Sequence, residues 1–378
     1  MNRTIAHPRH STAGFSLIEM IVSMGVMVVI VGATMGAMSN AIQANQSALF
    51  ITGMNANLRT GMDLVTRDLL QTGQGLPNGG VILIPAGLNS TQIKLPGPPG
   101  TNYKSTIGDT DISAVTPGPG LGPVINGIAT DMITVLEADS AFDHRSLTAL
   151  AANGSSMTVS KPQPDGTTAD ISNGGPDDIL PGQLILLTKG SAAALVEVTS
   201  VNGDQTAFFA ANDSLNLNQP NAASGNITAL LNTAPADVLS GGYIPTQATR
   251  IRMISYYLDA TMTPLRPRLV RRMNNGDPLV FNNTLGNVVA FDVEGLLISY
   301  DINDSATNPS GVKFNASDIA GTGACAPNPC NMNQIRKVSV VLAGRSSIPS
   351  KVSGQFFRNS LATEISLRSL AFVDRYRG

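Results

Sequence analysis

The chain has 378 residues, a formal net charge of −2 and only 13% charged side chains. That near-neutral balance gives no electrostatic case for a nucleic acid or an anionic surface as partner. The length allows one large or two ordinary domains besides a membrane helix, and 37 glycines and 23 prolines indicate many turns and long loops, the usual make-up of exported β-rich proteins.

The first element lies between residues 14 and 38, GFSLIEMIVSMGVMVVIVGATMGAM. Before it come Arg3, His7, Arg9 and His10 and no acid, so the positive-inside rule keeps this end in the cytoplasm and exports the rest. From Ile21 to Met38 there is no charge, which gives roughly 27 Å of helix, close to the hydrocarbon thickness of a bilayer. A transmembrane segment is expected over 15–38. Glu19 sits at its edge. A carboxylate at the centre of a membrane helix costs on the order of 2.5–3.5 kcal/mol and less near an end, so Glu19 asks for a partner. An ordinary secretory signal, with its cleavage site among the small residues from Ala37 to Ala44, leaves Glu19 unexplained. Snorkelling of Glu19 to the headgroups explains tolerance of the residue and not its placement.

The run GFSLIEM resembles the processing site of type IV prepilins and type II secretion pseudopilins. The resemblance implies a leader of residues 1–14, cleavage between Gly14 and Phe15 by a prepilin peptidase, and N-methylation of Phe15. It also implies that Glu19, fifth in the mature chain, docks to the methylated amino terminus of a neighbouring subunit. Loss of Arg3 and Arg9 with the leader takes the formal charge from −2 to −4.

The helix continues beyond the membrane. Phe50, Met54, Leu58, Met62, Val65 and Leu69 recur at steps of four or three, with Arg59, Asp63, Arg67 and Asp68 placed on other faces. One long helix is expected over 15–75, ended by Gly73, Gly75 and Pro77. Gly32, Gly36, Gly53 and Gly61 mark places of local weakness or close approach.

From 76 to 242 the pattern is of short strands, VILI, DMITVLE, QLILLTK, ALVEVTSV and TAFFA, between loops such as PGPPGTNYKSTIGDTD, TPGPGLGP and SKPQPDGTTADISNGGPDD. Gly241 and Gly242 are the expected boundary to a carboxyl-terminal lobe, 243–378, with strands RIRMISYYLD, RLVRRM, NVVAFDVEGLLISYDI, IRKVSVVLAG and LATEISLRSL. This lobe is similar to PilW-type minor pilins and, among secretion proteins, to J-type pseudopilins. The resemblance implies an α+β, pilin-like fold, with the long helix packed on an antiparallel periplasmic head. Its implied partners are other pilins, the prepilin peptidase and the inner-membrane assembly platform, and its implied place is the inner membrane and then the pilus. A secretion pseudopilin and a pilus-tip adhesin are the alternatives, the second resting only on the large region 76–242.

Catalytic and metal chemistry is sparse. His144 is the one imidazole after the leader and lies in FDHRS with no nucleophile motif near it, and no phosphate-binding glycine loop occurs. No enzyme activity and no cofactor is expected. Asp301, Asn303 and Asp304 form an oxygen-rich loop, a weak calcium candidate, but Ala306 and Val312 stand where an EF-hand needs glycine and glutamate. Cys325 and Cys330 share the loop CAPNPC, where export favours a short disulfide and a zinc site lacks two further ligands.

Overall fold

The computed structural model describes residues 14–77, 81–83, 93–98, 111–142, 145–159, 171, 178–190, 192–202, 205–218, 230, 246–261, 266–274, 286–303, 308–350 and 353–371. The leader up to residue 13, His144, Gly241, Gly242 and Asp304 lie outside the described residues. The protein is α+β: a long amino-terminal helix and a large antiparallel β domain.

Helix α1 spans Leu17–Gln71, 55 residues or roughly 80 Å of rod. Its amino-terminal part stands clear of the domain, whereas Met54, Leu58, Gly61, Met62, Val65, Asp68 and Leu69 are buried. Those positions follow the steps of three and four that make one helical face. Asp68 corrects the expectation: three residues after Val65 and seven after Gly61, it belongs to the buried face. Gly61 is a close approach, where a β-carbon would sit 3.1 Å from that of Ala290, while Gly32, Gly36 and Gly53 have open space beside them.

The strands are β1 (Val81–Leu83), β2 (Asp111–Ser113), β3 (Val115–Gly118), β4 (Val124–Ile125), β5 (Ile128–Ala129), β6 (Met132–Ala138), β7 (Arg145–Leu150), β8 (Ser156–Val159), β9 (Leu184–Lys189), β10 (Ala192–Glu197), β11 (Ser200–Asn202), β12 (Thr206–Phe208), β13 (Gln247–Asp259), β14 (Arg268–Met273), β15 (Asn287–Phe291), β16 (Val293–Ile302), β17 (Ile335–Arg345) and β18 (Arg358–Ser366). An eleven-stranded sheet is organised around β13. The first residues of β13 pair with β7 and β9 and its later ones with β6 and β14. β13, the first described strand after residue 242, pairs with strands β6, β7 and β9 that precede it.

A second sheet has the order β16-β17-β18. The run NVVAFDVEGLLISYDI is two strands and not one. Asp292 between them takes a φ of 56°, and Arg266 holds its carboxylate with Nε at 2.9 Å and Nη2 at 2.7 Å. That turn carries the chain from the large sheet, in β15, to the small one, in β16. The run TPGPGLGP is not loop throughout, since Thr116, Pro117 and Gly118 belong to β3, with Pro117 and Gly118 buried. Among the described residues β3 pairs only with β6, so Pro117 lies on an edge strand, where its missing N–H is tolerated.

Residues on β6 alternate between two cores. Ile133 and Val135 join Leu58, Val65 and Leu69 of α1 and Leu296, Val340 and Leu342 of the small sheet; Met132 and Leu136 join Leu184, Leu186, Met253 and Tyr257 on the opposite face. With both faces covered, the strand reads as a near-continuous apolar run. A third cluster, including Met157, Val159, Leu187 and Phe209, fills the β7–β12 end.

Candidate functional site

Gly14, Phe15 and Ser16 run directly into the first turn of α1. Ser16 is the N-cap. The Ile18 N–H donates to Ser16 Oγ at 3.4 Å, and the Ser16 N–H donates to Glu19 Oε2 at 3.3 Å, so Ser16 and Glu19 form a reciprocal capping box. The signature S-x-x-E is plain in SLIE, and the sequence reading passed over it. Its consequence is that Glu19 already has a role within its own chain. The carboxylate satisfies one of the otherwise unpartnered N–H groups at the helix start and lies at the positive end of the helix dipole.

Among the described residues nothing packs against this cap. Phe15 is 88% exposed, and a side chain added at Gly14 would meet nothing within 4 Å. Among the described residues α1 is the one helix long and apolar enough to cross a membrane, and that stretch is not buried against the domain. Met20 to Leu58 contains no charged residue, although lipid accounts for only about 20 residues. Leu49, 70% exposed, and Ile42, 47% exposed, continue the apolar surface beyond Met38.

No family model, characterised protein or solved structure matches this chain. The site is therefore defined by its own geometry.

The remaining candidates lie apart from this end. Cys325 and Cys330 are joined, with Cα atoms 5.6 Å apart, and both are buried in the core that also contains the second half of α1. Asp318 stitches that loop by accepting from the Lys313 N–H at 3.0 Å and the Ala324 N–H at 2.8 Å. Asp301 accepts from the Gly311 N–H at 3.1 Å, and its other oxygen lies 3.9 Å from Lys337 Nζ. The backbone N–H of Asn303 donates to Gln334 O at 2.9 Å. Among the described residues no three His, Cys, Asp or Glu side chains are grouped to hold a metal ion.

The polar site that sequence reasoning missed is the seat of α1 on the domain. Tyr256 OH donates to Asp68 Oδ2 at 2.6 Å, and Arg271 Nε donates to the same oxygen at 2.6 Å. Tyr256 and Arg271 are direct cross-strand partners of β13 and β14, so the sheet presents both donors at one level. Burial, together with the Asp68 charge and hydrogen bond, pushes the Tyr256 hydroxyl far above its ordinary range, which keeps it protonated as a donor. The available signal was an acid at the i+3 position from Val65 within an apolar stripe, together with an RR pair on a strand.

Proposed function

We propose that the chain is a minor pilin of a type IV pilus, a structural subunit held in the inner membrane and then packed through α1 into a filament. The observation that carries this reading is a Gly14–Phe15 junction set immediately before a capped helix whose exposed surface carries Glu19 and then no charge up to Leu58. Exposed apolar side chains favour burial by about 1.5–3 kcal/mol each, and lipid or neighbouring helices supply that burial equally well. Over the uncharged stretch Met20 to Leu58 the helix passes from one environment to the other without stranding an ion in an apolar core.

In this reading the peptidase cuts after Gly14, and Phe15 carries the methylated amine. Glu19, leaning back toward Ser16, lies close to its own new terminus and is open to that of a neighbour. Pairing across subunits neutralises two charges inside an apolar bundle, and such a pair is strongly favoured only when both partners are present, which checks register during docking. The β domain then faces the periplasm and later the filament surface. A type II secretion pseudopilin shares each of these amino-terminal features, and the genes beside this one distinguish the two systems.

The test compares wild type with Glu19→Ala in pilus-making cells, by amount in the inner membrane and amount in sheared filaments. Membrane insertion is expected to be unchanged or slightly improved, since the variant removes an intramembrane charge, and filament incorporation is expected to fall. Equal incorporation at equal processed membrane levels would sink the docking role of Glu19.

A further inference from the structure

The buried joint between α1 and the large sheet brings three carboxylates together, Asp68, Glu137 and Asp139, and its arginines approach them unequally. Glu137, on β6 and 2% exposed, points to the α1 side with Ile133 and Val135. Its direct cross-strand partner is Arg252 of β13, yet Asp139, the residue just after β6, competes with it for that guanidinium. Asp139 holds Arg252 Nη2 at 2.6 Å and Arg250 Nη2 at 2.7 Å, whereas Glu137 Oε1 lies 3.7 Å from Arg252 Nη1. Among the described residues Glu137 Oε2 is buried with no hydrogen-bond partner.

The groups around Glu137 are the following. From α1 comes Asp68, whose own partners are Tyr256 and Arg271, with Arg67 Nε 3.7 Å from its second oxygen. From the segment just after β6 comes Asp139, from β13 Arg252, with Arg250 held by Asp139, and from β14 Arg271. Arg271 is committed to Asp68, and Arg250 and Arg252 are drawn closest to Asp139, so Glu137 is the carboxylate with the loosest compensation, Arg252 Nη1 at 3.7 Å. Burial first, and then the Asp68 charge, push its carboxyl up from 4.5 to about 7. Asp139 goes the opposite way: although burial raises it, the Ala141 N–H and both arginines hold it below the ordinary range.

Glu137 also sits where α1 ends on the sheet. The Gly73 N–H donates to Leu136 O at 2.8 Å, and the Ala138 N–H donates to Gln74 O at 2.9 Å, so the two backbone bonds that seat the helix end bracket Glu137. Gly75, at a φ of 70°, passes so near that a β-carbon there would lie 2.6 Å from that of Ala138. We propose that Glu137 is a proton-operated latch on this joint: protonated, it leaves the end of α1 seated on β6; ionised, it sets a second negative charge against Asp68 and loosens the seat. The device is internal to one chain and needs no filament partner.

Hydrogen exchange followed by mass spectrometry on the full chain in detergent tests this, with rates divided by intrinsic rates at each pH. In wild type, opening of the peptides covering 66–76 and 133–139 is expected to rise more than tenfold between pH 5.5 and 8 and then level off, while 153–159 stays flat. In Glu137→Gln the same two peptides are expected to show no pH dependence. Flat wild-type protection, or a Glu137→Gln variant that keeps the wild-type slope, overturns the latch. Asp68→Asn serves should Glu137→Gln fail to fold. Removing the repelling charge is expected to lower the pH at which opening levels off, and an unchanged profile overturns the proposal.

Discussion

Asp68 fastens the helix to the domain, and its removal is the sharpest perturbation of the fold. Asp68→Ala leaves Arg271, whose side chain is 15% exposed, as a buried cation without its partner, and leaves the Tyr256 hydroxyl without an acceptor. Removing one member of a buried ion pair costs about 3–5 kcal/mol, most of it from the charge left behind, and an orphaned buried hydroxyl adds about 1–3 kcal/mol. Relief of the repulsion with Glu137 offsets part of this, so a net cost of about 4 kcal/mol is expected. At about 2–4 °C per kcal/mol for a large domain, the midpoint of unfolding falls by roughly 8–16 °C. The chain has no tryptophan, so the transition is followed by circular dichroism at 222 nm and by near-ultraviolet tyrosine signals. The control is Asp63→Ala, an exposed acid on the same helix, expected within about 0.5 kcal/mol of wild type. Equal midpoints for the two variants would refute the reasoning.

Three further outcomes concern α1 and its seat. A β-carbon at Gly344 would lie 2.8 Å from Leu58 Cδ2 and 3.3 Å from Asp292 O, so Gly344→Ala is expected to cost about 1–3 kcal/mol by overpacking under α1. Gly53→Ala, with open space beside it, is expected to stabilise the helix by up to about 1 kcal/mol; thermal melts that reverse this order contradict the packing. The elevated Glu137 carboxyl means that the native state keeps a proton the unfolded chain has released. Its contribution is therefore fully present below 4.5 and lost as pH rises through about 7, on the order of 3 kcal/mol in all. Denaturant midpoints of wild type that show no such loss relative to Glu137→Gln would contradict it.

Much of α1 was legible because a long period-three-and-four pattern and terminal glycines are local signals, and Leu17–Gln71 lies within the expected 15–75. Asp68 was misplaced because a single acid reads as a polar face until its partners, Tyr256 and Arg271, come from strands far along the chain. Strands such as β6, β9, β13 and β17 announced themselves by β-branched and apolar runs. β3 did not, since Pro117 and Gly118 are turn residues everywhere except at a sheet edge. The pairing of β13 with strands on both sides of the Gly241–Gly242 boundary was beyond composition, because register is decided by long-range partners. At the amino-terminal site the positions Gly14, Phe15 and Glu19 were singled out in the sequence, while the Ser16–Glu19 capping box went unread.

The central claim is that this chain is cut after Gly14 and used through the helix that follows. Intact-mass and amino-terminal analysis of the protein isolated from its native cells tests it directly. The expected result is a chain beginning at Phe15 with a methylated amine, with Glu19 in fifth place. A start beyond Ala37, as an ordinary secretory signal would give, or a chain still beginning at Met1, would contradict the account.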